Sequence, residues 1–473
     1  MLISNAEVAG RSVSLRCEEG VITELADRIA AHTGEEEIDA RGGALLPGLH
    51  DHHFHLFSLA AQWASVPCGP PAITSREALA EALRRAEPVS GWLRGTGYFE
   101  SVAGELDRDR LDALGIDTPL RIQHRSGSMW FLNSRAIEVL ALDRNDSNSR
   151  AGEPIGIERD ATGRATGRLF RVDEWLRQRL PPRNAPDLSA VGSFLARCGV
   201  TQVTDATPSN GTAEAALFRE AQRSGALPQR LRMMGDLSLS SAAESERFEI
   251  AEYKILLDEP ALPDLDELAS SIRAAHAAGR CVAIHTVTRT EIHFSLAALE
   301  LAGVRRGDRL EHASVAPPEA VDLTRRLELS IVTQPNFISE RGDAYREKVD
   351  ARDLECLYRV GSWIEAGVPL AAGTDAPFGD PDPWRAMKAA VSRRTDSGAC
   401  LGPDETVSPE TALGLFSNGF CPSDLGRFRV GHFTVGQRAD FCLLNTPWHE
   451  ARQELSRERV AMTLCAGQVI WSP

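Results

Sequence analysis

The sequence predicts an α/β fold: a (β/α)8 barrel of the TIM type with a small β-sandwich domain formed by both termini. Three observations predict it. From residue 189 onward, short apolar strands alternate with helical stretches of 3.6-residue periodicity. Short strands separated by glycines occur at both ends of the chain. The chain has 473 residues, which is more than one small hydrophobic core requires.

The two ends of the chain supply the predicted β-sandwich domain, residues 1–46 plus 425–473. The barrel domain, 47–424, is then expected to lie between these two parts. A less regular stretch, at about 57–190, is predicted as an insertion after the first barrel strand, and long insertions of this kind often serve as lids. The terminal strands are predicted at Met1–Val8, Ser12–Cys17, Val21–Leu25, Glu37–Asp39, Ala439–Leu444, Val460–Cys465 and Gln468–Trp471.

The barrel is predicted from about eight strands in β-α alternation, the first of which ends near His53. Neither G-x-G-x-x-G after a strand nor G-x-x-x-x-G-K-[ST] occurs, which counts against a nucleotide-binding fold. The later strands are predicted at Val200–Asp205, Leu231–Gly235, Tyr253–Asp258, Cys281–Thr286, Arg309–Ala313, Leu329–Gln334 and Leu370–Asp375. The helices between them are predicted at Gly211–Ser224, Leu265–Ala278, Glu291–Ala302, Pro318–Leu327, Leu354–Ala366 and Pro383–Thr395.

Composition narrows the classes of partner and compartment. The net charge of −15, from 52 basic and 67 acidic residues, argues against a nucleic acid or an anionic membrane as partner. A small-molecule substrate is expected instead, with a homodimer as the assembly to test. The nine cysteines form no C-x-x-C pair, which is typical of reduced thiols in a cytoplasmic protein. We expect neither a signal peptide nor a transmembrane helix.

Residues 46–56 hold four of the twelve histidines at the end of an apolar run. Successive side chains on a strand point to opposite faces, so His53 and His55 share one face, about 7 Å apart along the strand. His50 and His52 have the other parity and are expected to point away. Two imidazoles on one face are able to converge on one metal ion. The alternative is that they are hydrogen-bonded core histidines.

Further candidate ligands stand at the ends of later predicted strands: Lys254, His285, His312 and Asp375. In a barrel of this kind the active site lies at the carboxyl ends of the strands. Neutral imidazoles and a carboxylate suit a Zn²⁺-like ion that keeps one position open for water. The ion would lower the pKa of that water toward neutrality, and Asp375 would act as general acid/base.

Lys254 lies inside an apolar run, where a cation is costly. This buried position is explained if the pKa of the lysine is depressed and its free amine has reacted with carbon dioxide. The resulting carbamate is an anion able to bridge two metal ions. The alternative is an amphipathic lysine that snorkels from the strand toward water.

A further set of polar and aromatic residues falls where a substrate pocket is expected. Each of them is as compatible with packing or loop hydrogen bonding as with substrate contact. The candidates for substrate binding are Trp130, Asn133, Gln334 and Asn336.

Several stretches together resemble one known family. The sequence is similar to the amidohydrolase superfamily, and most similar to the branch that includes N-substituted formamide deformylase and D-aminoacylase-like enzymes. The resemblance implies a (β/α)8 barrel with a terminal β domain. It also implies metal binding by His53, His55, His285 and His312, with Asp375 as acid/base and Lys254 as a carboxylated bridge. The matching stretches are 47–55, 130–134, 199–205, 253–255, 282–285, 309–312, 334–336, 373–377, 436–444 and 463–469.

The function expected from these residues is hydrolysis of an amide-like C–N bond, N-substituted or cyclic, in a small molecule. Metal-activated hydroxide would attack, His285 or His312 would help to polarise the carbonyl, and one or two divalent ions, most simply Zn²⁺, would be bound per chain. A heterocycle aminohydrolase is one alternative, disfavoured because Thr288 stands where deaminase members often carry a glutamate. A non-catalytic scaffold is another, although all six candidate ligands are retained. Departures from the family at 124–130 and 257–259 mean that the substrate is not inherited.

Overall fold

The structure of the protein is a computed structural model. It describes residues 1–143, 153–181, 185–417 and 432–473, with the backbone alone for Glu174. The chain forms two compact units: unit 1 is 1–56 with 187–473, and unit 2 is 57–186. The predicted boundary at 424/425 and residues 144–152 of the insertion lie outside the described residues, and the predicted domain limits stay predictions.

Unit 1 contains a sheet of eight parallel strands, here called β1 to β8, each hydrogen-bonded to the next in chain order. These strands are mostly apolar and buried on both faces, as expected for a parallel sheet covered by helices. The prediction of a parallel α/β barrel is confirmed, and the barrel is nearly closed. The strands are β1 Leu49–Phe54, β2 Val200–Asp205, β3 Arg230–Gly235, β4 Phe248–Ile255, β5 Val282–Thr286, β6 Arg309–His312, β7 Ser330–Thr333 and β8 Leu370–Ala372.

The first and last strands meet at the residues that follow β8. The backbone N–H of Asp375 donates to the carbonyl of His53 at 2.9 Å. The buried carboxylate of Asp51 accepts from the backbone N–H of Thr374 at 3.1 Å and from its hydroxyl at 2.6 Å. Gly373 is required here because a Cβ atom would lie 2.4 Å from the backbone nitrogen of His53. These contacts bring the two ends of the sheet together beside the histidine motif.

Several helices of unit 1 begin at a side-chain cap and bury an apolar stripe. The helix Leu265–Ala277, for example, is capped by Asp264, whose carboxylate accepts from the N–H of Asp266. The α-helices of unit 1 are Ser189–Arg197, Thr212–Ser224, Leu265–Ala277, Arg289–Ala302, Pro318–Arg326, Asn336–Lys348, Ala351–Leu354, Gly361–Glu365, Pro383–Ser392, Pro409–Leu415 and Trp448–Ala451. Short 3₁₀ helices occur at Leu237–Ser241, Glu259–Ala261, Pro403–Glu405 and Arg457–Arg459.

One helix prediction is wrong, and one helix was not predicted. The single helix predicted at 354–366 is two short helices, because the chain turns at Tyr358, which has a φ of 42°. The carboxylate of Glu405 then accepts from the backbone N–H groups of Val360 and Ser362 and starts the second helix. The helix Asn336–Lys348 was not predicted, since most of its residues are polar and it lacks a continuous apolar stripe.

Strand β4 begins earlier and ends earlier than the strand predicted at 253–258. In the sequence, two glutamates interrupt the apolar pattern of the first half of this strand. In the structure Glu249 pairs with Arg232, and the buried Glu252 lies 3.5 Å from Arg309. Charged residues are therefore accommodated within the barrel strands as ion pairs.

The two chain ends form two four-stranded sheets in unit 1, and side chains from both sheets share one hydrophobic cluster. The first sheet has the order Val21–Ala26, Arg11–Glu18, Leu2–Val8, Glu37–Asp39. The second has the order Gln468–Trp471, Val460–Cys465, Phe441–Leu444, Leu45–Pro47. The predicted terminal strands are thus present, while the β-sandwich itself stays a prediction.

Unit 2 is built on a mixed six-stranded sheet with apolar clusters against it. Its strands, in spatial order, are Ile157–Arg159, Ala165–Phe170, Met129–Leu132, Leu120–His124, Leu93–Tyr98 and Val66–Pro67. Its α-helices are Arg76–Arg85, Arg108–Asp112, Ser134–Val139 and Asp173–Arg179, and Leu56–Trp63 enters it from unit 1. Among the helices that the structure describes, none combines the length and the apolar character that crossing a bilayer requires.

Candidate metal centre

Three side chains at the carboxyl end of the barrel converge on one point. His53 of β1, His312 of β6 and Asp375 after β8 are buried, and their ligand atoms all lie within 4.8 Å of one another. Nε2 of His53 lies 3.5 Å from Oδ1 of Asp375, and Nδ1 of His312 lies 3.9 Å from Oδ2. Two imidazoles and a carboxylate at this spacing fit a divalent metal ion of the zinc type.

The other two predicted histidine ligands lie beside this group. Nε2 of His55 is 3.3 Å from the same Oδ1 of Asp375, and the His55 ring is 5.4 Å from that of His53 between centroids. The His285 ring centroid lies 4.5 Å from that of His312. The fold therefore brings all four predicted histidines and Asp375 together at one end of the barrel.

Hydrogen bonds at Nδ1 orient three of these imidazoles. His53 Nδ1 bonds to the carboxylate of Glu311, and His312 Nδ1 bonds to Oε1 of Gln334 at 2.8 Å. His55 Nδ1 lies 2.9 Å from the hydroxyl of Thr207. A ring whose Nδ1–H is held in this way presents Nε2 as the free ligand nitrogen. For His53 and His312, whose partners are a carboxylate and an amide oxygen, the arrangement thus favours the tautomer that metal binding needs.

Histidines of the opposite parity face elsewhere, as predicted. His50 bonds through Nε2 to the hydroxyl of Thr204 at 2.8 Å, and its ring lies 3.7 Å from that of His52.

Burial lowers the pKa of His53 well below its usual range, and the charge of Lys254 adds to this. Burial likewise lowers the pKa of His312. Both imidazoles are therefore neutral at ordinary pH, which is the form that binds a metal.

Lys254 is nearly enclosed, with 4% of the residue exposed, and its ammonium has no hydrogen-bond partner among the described residues. Burial lowers its pKa to about 8. Its charge acts on His53, His312 and Glu311. A buried amine that lacks a hydrogen-bond partner is unusual in a folded protein. Its position beside the predicted metal ligands is consistent with a centre in which a further group binds this amine.

Glu311 is a carboxylate at the centre that the sequence analysis missed. It is fully buried between His53 and Arg309, and it bonds to both. Burial alone would raise the pKa of Glu311, but the charges of Arg309 and Lys254 hold it below its usual range. The signal in the sequence was a glutamate directly before the predicted ligand His312, near the end of a predicted strand.

We expect Glu311→Gln to weaken metal binding by about 10- to 100-fold, because an amide is a poorer anchor for the His53 Nδ1–H and lowers the basicity of Nε2. The metal dissociation constant would be measured by competition with a coloured chelator. Glu249→Gln is the matched control, since Glu249 also pairs with an arginine on a barrel strand but contacts no predicted ligand. Equal affinities in the two variants would contradict the role given to Glu311.

Two members of the metal centre have strained backbones. His312 has a φ of 68° and Asp375 a φ of 56°, in the left-handed region that non-glycine residues rarely adopt. Such conformations cost on the order of 1–3 kcal/mol each and persist where the surrounding structure enforces them. The strain coincides with the residues that carry the donor atoms, as is common at functional sites.

The residues predicted to bind substrate fall into two groups. Gln334 lies at the centre, but it holds His312, and Asn336 donates to the carbonyl of Thr374 at 3.0 Å. In unit 2, Trp130 donates to Asp173, and the amide of Asn133 bonds to four backbone groups. All four thus have structural hydrogen bonds, and their substrate contacts stay predictions.

Comparisons with known proteins agree with this geometry. A model of the amidohydrolase family matches residues 36–471. The N-substituted formamide deformylase of Arthrobacter pascens is 26% identical, covering 99% of this chain and 97% of that protein. An uncharacterized metal-dependent hydrolase from Pyrococcus furiosus superposes with a TM-score of 0.73 at 22% identity, covering 94% of this chain and 98% of that one.

A more distant structure has the same fold. The atrazine chlorohydrolase TrzN from Arthrobacter aurescens TC1, complexed with zinc, gives a TM-score of 0.55 at 14% identity, covering 100% of this chain and 95% of that one. The family match spans most of the chain, and the resemblance seen in the sequence is confirmed. The protein is a member of the amidohydrolase family.

Proposed function

We propose that this protein is a metal-dependent hydrolase that cleaves an amide-like C–N bond, N-substituted or cyclic, in a small molecule. The observation that carries the proposal is the convergence of His53, His312 and Asp375, whose donor atoms lie within 4.8 Å of one another at the carboxyl end of the barrel. Membership of the amidohydrolase family supports it. A cytoplasmic location and a homodimer stay predictions.

The six predicted ligands would hold one or two divalent ions, Zn²⁺ by the chemistry of the donor set. When bound, such an ion supplies Lewis-acid chemistry: it polarises a carbonyl and lowers the pKa of a water. His53 and His312 contribute neutral imidazoles oriented by Glu311 and Gln334. His285 or His312 would help to orient the substrate carbonyl. The metal-binding set is His53, His55, Lys254, His285, His312 and Asp375.

Asp375 is the residue to which we assign proton transfer. Its Oδ1 faces His53 and His55 but accepts no hydrogen bond from the described residues. That oxygen is therefore available to take the proton of an attacking water. The same carboxyl group would then deliver the proton to the departing nitrogen.

Lys254 would serve as a carboxylated ligand. Its free amine would attack the carbon of carbon dioxide, forming an N–C bond and releasing one proton. The product is a carbamate whose two oxygens are suited to bridge two ions. A pKa of about 8 leaves a useful fraction of the amine unprotonated near neutral pH, and that fraction rises as the pH rises.

The alternatives fit less well. Thr288, at the position where a deaminase often has a glutamate, caps the helix Arg289–Ala302, and its hydroxyl accepts from the backbone N–H of Glu291 at 3.1 Å. Its position is thus used structurally and offers no carboxylate. A non-catalytic scaffold is not expected to keep buried, oriented ligands, since such a set is costly without a metal.

Metal analysis tests the proposal directly. Protein prepared without chelators is expected to contain about two divalent ions per chain by plasma mass spectrometry, as a centre bridged by a carbamate requires. Removing them should abolish hydrolysis of a panel of formamides, N-acyl amino acids, lactams and cyclic imides, and adding zinc should restore it. A folded protein that contains no metal and takes up no zinc would reject the proposal.

A further inference from the structure

A buried arginine lies next to the metal centre, on the side of the amino ends of the strands. Arg309 is the first residue of β6, two positions before Glu311, so both side chains point to the same face of that strand. It is 0% exposed. Its Nε donates to Oε1 of Glu311, and its Nη2 donates to the backbone carbonyl of His52 at 3.4 Å. The other oxygen of Glu311 bonds to Nδ1 of His53. One carboxylate thus joins the arginine to a predicted metal ligand.

Arg309 also belongs to a row of alternating charges that crosses the strands β6, β4 and β3. Its Nη1 lies 3.5 Å from Oε1 of Glu252 in β4, and the same oxygen lies 3.5 Å from Nη2 of Arg232 in β3. Nε of Arg232 in turn bonds to Glu249 at 3.0 Å. Burial alone would raise the pKa of Glu252, but the charges of Arg309 and Arg232 hold it below its usual range. The guanidinium of Arg309 therefore lies between two ionised carboxylates.

The shape of the guanidinium explains why an arginine suits this position. A planar guanidinium offers several donors in fixed directions, so one side chain is able to hold a carboxylate and a backbone carbonyl at once. Here the carbonyl belongs to His52, the residue before His53, and the carboxylate is the anchor of the His53 ring. Arg309 therefore restrains His53 through the peptide unit that precedes it and through its ring.

Stability of the fold is a poor explanation for this row of charges. A buried ion pair is often replaced by apolar residues without loss of stability, because desolvation offsets most of the attraction between the charges. The charge of Lys254 also acts on Glu311, but Lys254 would lose its positive charge on forming the proposed carbamate. Arg309 would then be the cation that still bonds to Glu311. The end of the row at a predicted ligand indicates a role in the metal centre.

We propose that Arg309 is a positioning residue of the metal centre, which holds the carboxylate of Glu311 against His53 and thereby strengthens metal binding without contacting the ion or the substrate. The inference rests on the metal centre of the proposed function, but it concerns how that centre is held and not what it hydrolyses. Without the guanidinium, Glu311 would lose its second anchor, and the His53 ring would no longer be held with Nε2 directed at the ion.

The first test compares zinc dissociation constants, measured by competition with a coloured chelator. Arg309→Met should weaken zinc binding about tenfold or more, as is typical when the groups that orient a metal ligand are removed. Arg309→Lys keeps the charge and should restore part of the affinity. Arg280→Met is the matched control, since Arg280 is 7% exposed and donates to backbone carbonyls. Wild-type affinity in Arg309→Met, or an equal loss in Arg280→Met, would overturn the role.

A double-mutant cycle shows whether Arg309 acts through Glu311. In a protein that already carries Glu311→Gln, adding Arg309→Met should weaken zinc binding by no more than about twofold further. A further loss of about tenfold would contradict action through Glu311. The combined variant removes both charges of the pair, which a fold tolerates better than the loss of one. It therefore decides the question if Arg309→Met alone does not fold.

A spectroscopic readout follows the His53 ring itself. In metal-free protein with isotope-labelled histidine, the Nδ1 proton of His53 should resonate far downfield, because it donates to a carboxylate. The signal is assigned by its absence in Glu311→Gln. It should also be lost in Arg309→Met and remain in Arg280→Met, and its retention in Arg309→Met would refute the positioning role.

These readouts separate the inference from the proposed function, since none of them uses hydrolysis. Zinc binding with the expected order of affinities, but without hydrolysis of any amide, would support the role of Arg309 and reject the hydrolase function. Amide hydrolysis by the wild type, with unchanged zinc affinity in Arg309→Met, would reject the role of Arg309 alone.

Discussion

Replacing Asp375 by asparagine is expected to lower kcat/KM by about a hundred- to ten-thousandfold, the range that general acid–base catalysis contributes. The amide keeps the shape of the side chain, and its single oxygen is still able to donate to a metal. It loses the ability to take a proton at Oδ1, where the carboxylate accepts no hydrogen bond from the described residues. Hydrolysis rate and metal content are measured on the same preparation.

The design of this experiment separates proton transfer from metal loss. If Asp375→Asn retains its metal and loses hydrolysis, the carboxylate acts in proton transfer. Asp322→Asn, on the exposed side of the helix Pro318–Arg326, controls for the loss of one negative charge. Activity in Asp375→Asn equal to that of the wild type would reject the role. Loss of the metal together with activity would make Asp375 a ligand only.

Replacing Lys254 by methionine is expected to reduce the metal content from about two ions per chain to about one and to remove most of the activity, because a thioether is unable to form the bridging carbamate. Methionine has a similar length and no charge, so it should pack in this buried position at little cost in stability. Lys348→Met, at the exposed end of the helix Asn336–Lys348, is the matched control.

Mass spectrometry under native conditions gives a second readout for Lys254. The metal-loaded wild type should carry the added mass of one carbon dioxide, and Lys254→Met should not. Labelled bicarbonate should place the carbon on the lysine. A fully metal-loaded wild type with an unmodified amine would exclude the carbamate, and Lys254→Met that still binds two ions would exclude any bridging role.

Much of the metal centre could be predicted from the sequence because its ligands stand at the ends of strands. The two-residue parity of a strand placed His53 and His55 on one face, and the rule that barrel sites lie at carboxyl ends gathered His285, His312 and Asp375. The contacts that orient the rings were not predictable in this way. Glu311 reaches His53 from β6, which is not adjacent to β1 in the sheet, and Thr207 reaches His55 from the end of the neighbouring strand β2. Both contacts depend on three-dimensional register.

The elements of the fold likewise divide into those that the sequence predicts and those that depend on tertiary contacts. Segments with clear apolar periodicity, such as the helix Leu265–Ala277, were predicted to within a residue. Segments whose stability comes from tertiary contacts were not. The polar helix Asn336–Lys348 gave no periodic signal. The start of the helix Gly361–Glu365 depends on Glu405, which is distant in the sequence.

The bond between Asp51 and Thr374 has a consequence for how the protein reaches its native state. The two residues are 323 positions apart, yet this contact brings the ends of the barrel sheet together next to His53 and Asp375. Contacts of such sequence separation form late and slowly, since a long loop must close first. Metal affinity should therefore appear only in the final folding step, so the arrival of a tightly held ion would report complete folding. Once bound, the ion would oppose unfolding by mass action.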